Sequence, residues 1–180
     1  MQSRDRSCRG HTLFELLLTL TIASVVLVVA LPSMGAMVAR SRQSAEINAL
    51  FHAVHLARKE SIMRRRVVSL CPSLDGRQCQ PGHEWSGGWL MFENRDRDEP
   101  PMVDSGEAIL GVHGTHDSVR LVANRRGFTL RATFLRATNG TIVICDRAGR
   151  IPPKALVVSY TGRPRVAFET SSGDPYACPD

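Results

Sequence analysis

The stretch Gly10-His-Thr-Leu-Phe-Glu15-Leu-Leu-Leu-Thr-Leu-Thr-Ile-Ala-Ser-Val-Val-Leu-Val-Val-Ala-Leu31-Pro32 decides how the rest of the chain is read. From Leu13 to Leu31 it runs for nineteen residues whose only charge is Glu15. As a helix rising 1.5 Å per residue, that run is about 28 Å long, close to the hydrocarbon thickness of a bilayer. An ordinary cleaved signal peptide has an apolar region of only about 7–15 residues followed by a small-residue cleavage site. A plain membrane anchor matches the length but gives Glu15 no purpose, because a carboxylate near the bilayer costs a few kcal/mol unless it is paired or snorkels. Residues 1–10, MQSRDRSCRG, carry three arginines and one aspartate. Basic residues there predict that this side stays cytoplasmic and that everything after Pro32 is translocated. Cys8 precedes the apolar run, so it reads as an incidental residue of a leader and not as a lipid attachment site.

Outward from that segment, Met34–Arg66 contains no proline and only one glycine, Gly35. Ile47, Leu50, Phe51, Val54, Ala57 and Ser61/Ile62 recur at helical spacing, which predicts that the helix continues with one apolar face toward a core. Arg58, Lys59, Arg64, Arg65 and Arg66 crowd its last turns, where the helix dipole favours cations. Beyond residue 66 the pattern changes to short β-type runs near Val67–Cys71, Trp89–Phe92, Ala108–Val112, Val119–Val122, Phe128–Leu130, Thr141–Cys145, Leu156–Tyr160 and Val166–Phe168. Turn residues such as Asp75-Gly76, Pro81-Gly82, Gly87-Gly88, Asn139-Gly140 and Pro152-Pro153 separate them. Eight strands with no helices between them predict antiparallel sheets packed on the single helix, an α+β fold.

The chain of 180 residues has a formal net charge of +6, and its cations are almost all arginine. Asp75–Asp117 holds nine acids against three arginines, whereas Val119–Asp180 holds ten basic residues against four acids. Such asymmetry points to an anionic partner on one side of the fold or to an ordinary solvated surface. Beyond Cys8 there are four cysteines, and an even number in a translocated domain reads as two disulfides. Cys71 and Cys79 flank a turn and pair with each other; Cys145 then ties down Cys178 near the end of the chain.

Candidate reactive groups are few. Cys71, Cys79 and His83 lack the paired spacing of a zinc site, and His52 with His55 has no third ligand. Asp96, Asp98, Glu99 and Asp104 form an acidic loop without the spaced ligands of a calcium loop. The common nucleophile, metalloprotease and nucleotide motifs are absent. The expectation is a non-enzyme that needs no cofactor.

Gly10 followed by His-Thr-Leu-Phe-Glu15 and an unbroken apolar helix resembles the class III signal of type IV pilins and type II secretion pseudopilins. In that family a prepilin peptidase cuts after the glycine and methylates the new amino terminus. The resemblance implies cleavage between Gly10 and His11, methylation of His11, and filament assembly through Glu15. A free amine on His11 of one subunit would neutralise a neighbour's Glu15 in an apolar filament core. Pro32 falls where members commonly have a proline; His11 and Phe14 depart from the usual phenylalanine and aliphatic residue.

The segments Leu70-Cys-Pro-Ser-Leu-Asp-Gly76, Cys79, Trp85–Phe92 and Gly140–Gly149 are similar to the GspH/FimT/FimU group of minor pilins and pseudopilins. That likeness implies a leader over 1–10, a transmembrane and filament-core helix over 11–32, its amphipathic continuation over 33–66, and a periplasmic β-sandwich head over 67–180 with a basic tail. It also implies a single pass through the inner membrane before entry into a pilus, with other pilins and the peptidase as partners. Gly162-Arg163-Pro164-Arg165 resembles the GRxR motif of the DNA-binding FimT minor pilins. By that resemblance Arg163 and Arg165 contact DNA phosphates, with Arg147, Arg150 and Lys154 widening the cationic surface. The rival expectation is a purely structural tip subunit, FimU-like or GspH-like.

Overall fold

A computed structural model describes residues 12–132 and 136–179, with the backbone alone over residues 29–33. Cys8 and the expected cleavage pair Gly10 and His11 lie outside the described residues. The chain divides into two compact units, Met1–Met37 and Val38–Asp180. As far as it is described, the first unit is helix alone: α1 runs Leu13–Arg64 and passes through Pro32. Within that unit the described side chains from Thr12 to Val28 are all exposed, and most are apolar. Among the described residues no helix is long and apolar enough to cross a membrane. The expected span to Leu31 includes positions 29–31, whose side chains are not described.

In the second unit, α1 from Val38 onward presents Gln43, Ile47, Leu50, Val54, Ala57 and Ser61 to the interior, the i, i+3, i+4, i+7 pattern of one helical face. Ile62 falls off that face and is exposed. Among the described residues eight strands follow: β1 (Val67–Pro72), β2 (Trp89–Asn94), β3 (Ile109–His113), β4 (Val119–Ala123), β5 (Phe128–Leu130), β6 (Gly140–Asp146), β7 (Lys154–Val158) and β8 (Pro164–Ala167). They form two four-stranded sheets, ordered β3-β2-β1-β5 and β4-β6-β7-β8. Every pairing is antiparallel.

One core joins the helix to both sheets. Leu50, Val54 and Ala57 of α1 share it with Val68, Leu70, Met91, Phe128 and Leu130 of the first sheet and with Leu121, Ile142, Ile144 and Leu156 of the second. Successive strand residues point to opposite faces, so the sheets' outer faces need separate cover. On the first sheet, Cys71, Cys79, Leu90 and Phe92 make a second cluster with Val103 from the acidic excursion between β2 and β3. Beside it runs a buried polar network. Asn94 Nδ2 donates to Ser69 Oγ (3.1 Å) and to Asp98 Oδ1 (2.9 Å), and Ser69 Oγ lies 3.1 Å from Thr129 Oγ1. On the second sheet Arg120 is opposite Cys145, and that face receives the tail through the Cys145–Cys178 disulfide. Arg120 also donates to the carbonyl of Pro179.

Candidate functional site

The amino-terminal turn of α1 has a local explanation in four residues. Thr12 Oγ1 accepts the Glu15 N–H (3.3 Å), while Glu15 Oε2 accepts the Thr12 N–H (2.8 Å) and hydroxyl (3.2 Å). This is a capping box, in which a Thr and a Glu three residues later satisfy each other's backbone donors. Glu15, expected to serve subunit contact, therefore also starts its own helix. The Thr-x-x-Glu spacing is legible in the sequence, and sequence reasoning passed over it.

The Gly162–Arg165 stretch makes the tight connection between β7 and β8. Ser159 N–H donates to the Arg163 carbonyl (3.1 Å), Gly162 N–H donates to the Ser159 carbonyl (2.8 Å), and Arg163 N–H donates to Ser159 Oγ (3.2 Å). Gly162 has φ +69°, and a Cβ there would lie 2.8 Å from Leu130 Cδ1 and 3.3 Å from Arg58 Nη1. Glycine is thus required twice over, by its left-handed backbone and by the closeness of its neighbours. Pro164 opens β8 opposite Val158, and Arg165 stands opposite Val157 on this edge strand. Both Arg163 and Arg165 are exposed, and no ion pair engages either among the described residues. The turn is braced from outside: Ala137 N–H donates to the Tyr160 carbonyl (2.9 Å), and the Arg136 guanidinium lies 5.7 Å over the Tyr160 ring.

The other expected cations are somewhere else. Arg147 and Arg150 occupy the β6–β7 loop, and Lys154 opens β7 opposite Ile144. Four residues of β7 separate Lys154 from the β7–β8 turn, about 13 Å at 3.3 Å per residue. Near in sequence, these groups are held at opposite ends of a strand because antiparallel hairpins alternate their loops between sheet ends. Arg150 is also engaged. Its guanidinium donates to both oxygens of the buried Asp146, at 2.6 and 2.9 Å, and its N–H donates to Oδ2 at 3.0 Å. The Arg150 hydrogen bonds hold the Asp146 carboxyl below its ordinary range despite burial. Lys154 Nζ lies 5.4 Å from the Phe168 ring centroid, and Arg147 is exposed.

Other candidate ligands are accounted for. Cys71 and Cys79 form a disulfide, as do Cys145 and Cys178. His83 Nδ1 lies 3.0 Å from the Ala123 carbonyl, so no zinc-binding trio of Cys71, Cys79 and His83 exists. His52 and His55 flank the Phe51 ring on the helix surface. The carboxylates of Asp96, Asp98 and Asp104 lie within 4.8 Å of one another. Burial first, and then the nearby Asp96, push Asp98 and Asp104 upward.

The model of the type II transport protein GspH matches residues 46–170, and that of the prokaryotic N-terminal methylation motif matches residues 5–31. The chain belongs to the GspH family. Crystal structures of the type IV minor pilin FimU of Pseudomonas aeruginosa share the fold at 22% identity. One, with a TM-score of 0.53, covers 77% of this chain and 96% of FimU; the other, at 0.50, covers 76% and 97%. The minor pseudopilin EpsH from the type 2 secretion system of Vibrio cholerae is similar at 9% identity and a TM-score of 0.50, covering 69% of this chain and 95% of EpsH. No curated protein matches the chain. GspH-family proteins are minor pilins and pseudopilins, structural subunits and not enzymes, and this one carries the methylation motif through which such subunits assemble with other pilins.

Proposed function

We propose that this GspH-family protein is a minor type IV pilin that binds extracellular DNA for uptake in natural transformation. Prepilin peptidase cuts between Gly10 and His11 and methylates His11. The apolar half of α1 then holds the subunit in the inner membrane, with the second unit in the periplasm, until it enters the pilus. There the His11 amine of one subunit meets Glu15 of its neighbour, supplying a cation that an apolar filament core otherwise lacks.

The observation that supports DNA binding best is the β7–β8 turn. Two exposed arginines, with no ion pair to an acid among the described residues, stand on a tight turn stiffened by Pro164 and closed by Gly162. Guanidinium groups match phosphate oxygens and stay charged at any working pH. A contact of this kind reads backbone and not bases, so it binds with little sequence preference and weakens as salt rises. Arg147 adds a second, separate contact at the other sheet end; Arg150 and Lys154 contribute field more than reach.

The test is a mobility shift with the full chain in detergent micelles and duplex DNA at about 50 mM salt, where phosphate contacts are strong. Wild type shifts the duplex, and Arg163→Ala with Arg165→Ala abolishes the shift. Equal, poor binding by both would leave the rival reading standing, a structural tip subunit of a pilus or of a type II secretion filament. The match to the GspH model and the likeness to FimU and EpsH favour that alternative as the second choice.

A further inference from the structure

At the carboxyl end of α1 a cleft of about 460 Å³ is lined by Arg65, Arg66, Arg97 and Arg131 over Ile62 and Val67. The helix dipole accounts for cations that follow the last turn, Arg65 and Arg66, but not for Arg97 and Arg131, which other segments bring to the same place. Acids offset only part of this charge. Glu93 lies 3.7 Å from Arg66 but is shared with Arg64 and Arg95, and Glu99 lies 2.8 Å from Arg131. No ion pair joins Arg65 or Arg97 to an acid among the described residues.

The backbone points to the same two residues. Arg65 (φ 53°) and Arg97 (φ 64°) are the non-glycine residues with positive φ among those described. Arg65 occupies the position that closes the helix: Arg66 N–H returns to the Ser61 carbonyl (3.2 Å) and Arg65 N–H to the Ile62 carbonyl (3.4 Å). Glycine is the usual occupant there. Arg97 is held by its N–H to Asn94 Oδ1 (2.6 Å). Two arginines on left-handed backbone, both lining one cleft, mark a place where the side chain's chemistry outweighs the backbone cost.

We propose that this cleft seats a phosphate group of the DNA backbone, beside the one held by the β7–β8 turn. The assignment rests on the DNA-binding reading above and extends it to residues outside the Gly162–Arg165 motif. Cleft and turn adjoin. Ile62 lies one helical turn beyond Arg58, whose Nη1 is beside Gly162. Arg131 Nη1 donates to the Arg136 carbonyl (2.9 Å), and the Arg136 side chain covers Tyr160 in the turn. Several guanidinium forks converging from separate segments suit the closely spaced phosphates of a nucleic-acid backbone, each with two charge-bearing non-bridging oxygens, better than a single carboxylate.

The experiment uses the full chain in detergent micelles and a fluorescent duplex, titrated across about 50–200 mM salt. The cleft variant is Arg65→Asn with Arg97→Asn, because asparagine tolerates the left-handed region better than most residues and removes both charges. Circular dichroism checks that it folds. The expected result is a Kd raised about three- to tenfold and a salt slope shallower by about one to two. A cleft variant with wild-type Kd and slope overturns the assignment, while Arg163→Ala with Arg165→Ala, run alongside, decides the turn separately. If the turn variant binds like wild type and the cleft variant weakens, the turn reading falls and the cleft stands. If wild type fails to bind duplex, both fall. Inorganic tripolyphosphate that binds wild type but not the asparagine variant would then assign the cleft to free polyphosphate in place of DNA.

Discussion

Arg65 shows how a single position can work against the stability of its own helix. A non-glycine residue in left-handed conformation costs about 1–2 kcal/mol, and helix termini ordinarily avoid it with glycine. Arg65→Gly should therefore raise unfolding stability by about 1 kcal/mol while weakening any anion contact at the cleft. Urea unfolding of the two proteins measures this, and a glycine variant that is less stable would show that the Arg65 side chain contributes folding contacts instead. Glu15 is the second instructive residue. The sequence presents it as an acid misplaced in an apolar run, which draws attention to neighbouring subunits. The capping box with Thr12 shows that the same carboxylate first satisfies a local need. Thr12→Ala should remove one cap acceptor, worth about 1 kcal/mol of local helix stability, and hydrogen exchange at the first turn would register it.

At the scale of elements, hairpin topology decides which cations act together. Arg147, Arg150, Lys154, Arg163 and Arg165 fall within twenty residues of sequence, and nothing in their spacing separates them. The register of β7 with β6 and β8 does, by sending the two loops to opposite sheet ends. Arg150 illustrates a further limit, since no spacing rule showed that Asp146 would be buried and need it. Asp146 is lowered in the folded state, so its pairing stabilises the fold above the unfolded carboxylate pKa of about 3.9 and ceases to do so as pH falls through the lower folded value. Arg150→Ala should lower Tm by several degrees at pH 7, and the difference from wild type should shrink below about pH 4. A difference that persists unchanged at pH 3 would mean Arg150 acts through packing. Gly162→Ala belongs to this scale too. With a left-handed φ and Leu130 2.8 Å from the new methyl, it should cost about 1–3 kcal/mol and displace the arginine turn.

For the whole molecule, the two disulfides staple different things. Cys71–Cys79 closes a loop of sequence separation 8 over the outer face of the first sheet, and Cys145–Cys178, with separation 33, fixes the tail across the second. By loop-closure entropy the longer loop is worth about 3–4 kcal/mol and the shorter about 2–3. Cys178→Ser paired with Cys145→Ser should thus lower stability more than the same change at Cys71 and Cys79, measured by thermal unfolding under oxidising conditions. The reverse order would show that the Cys71–Cys79 cluster packs as core.

Read by itself, the sequence determined the elements of this protein. The change from helical to alternating periodicity near residue 66, the turn residues between the strands and the even cysteine count each depend on neighbours along the chain, and all eight described strands overlap the runs those local signals mark, with β7 and β8 each beginning two residues earlier than expected. Tertiary structure alone decided the groupings: the division into two sheets, the burial of Gln43, Glu46 and Asp146, and the meeting of Arg65 and Arg97 with Arg131 at one cleft. Those arrangements join residues far apart in sequence, and their energies arise from desolvation and charge proximity that exist only once the sheets have closed on the helix.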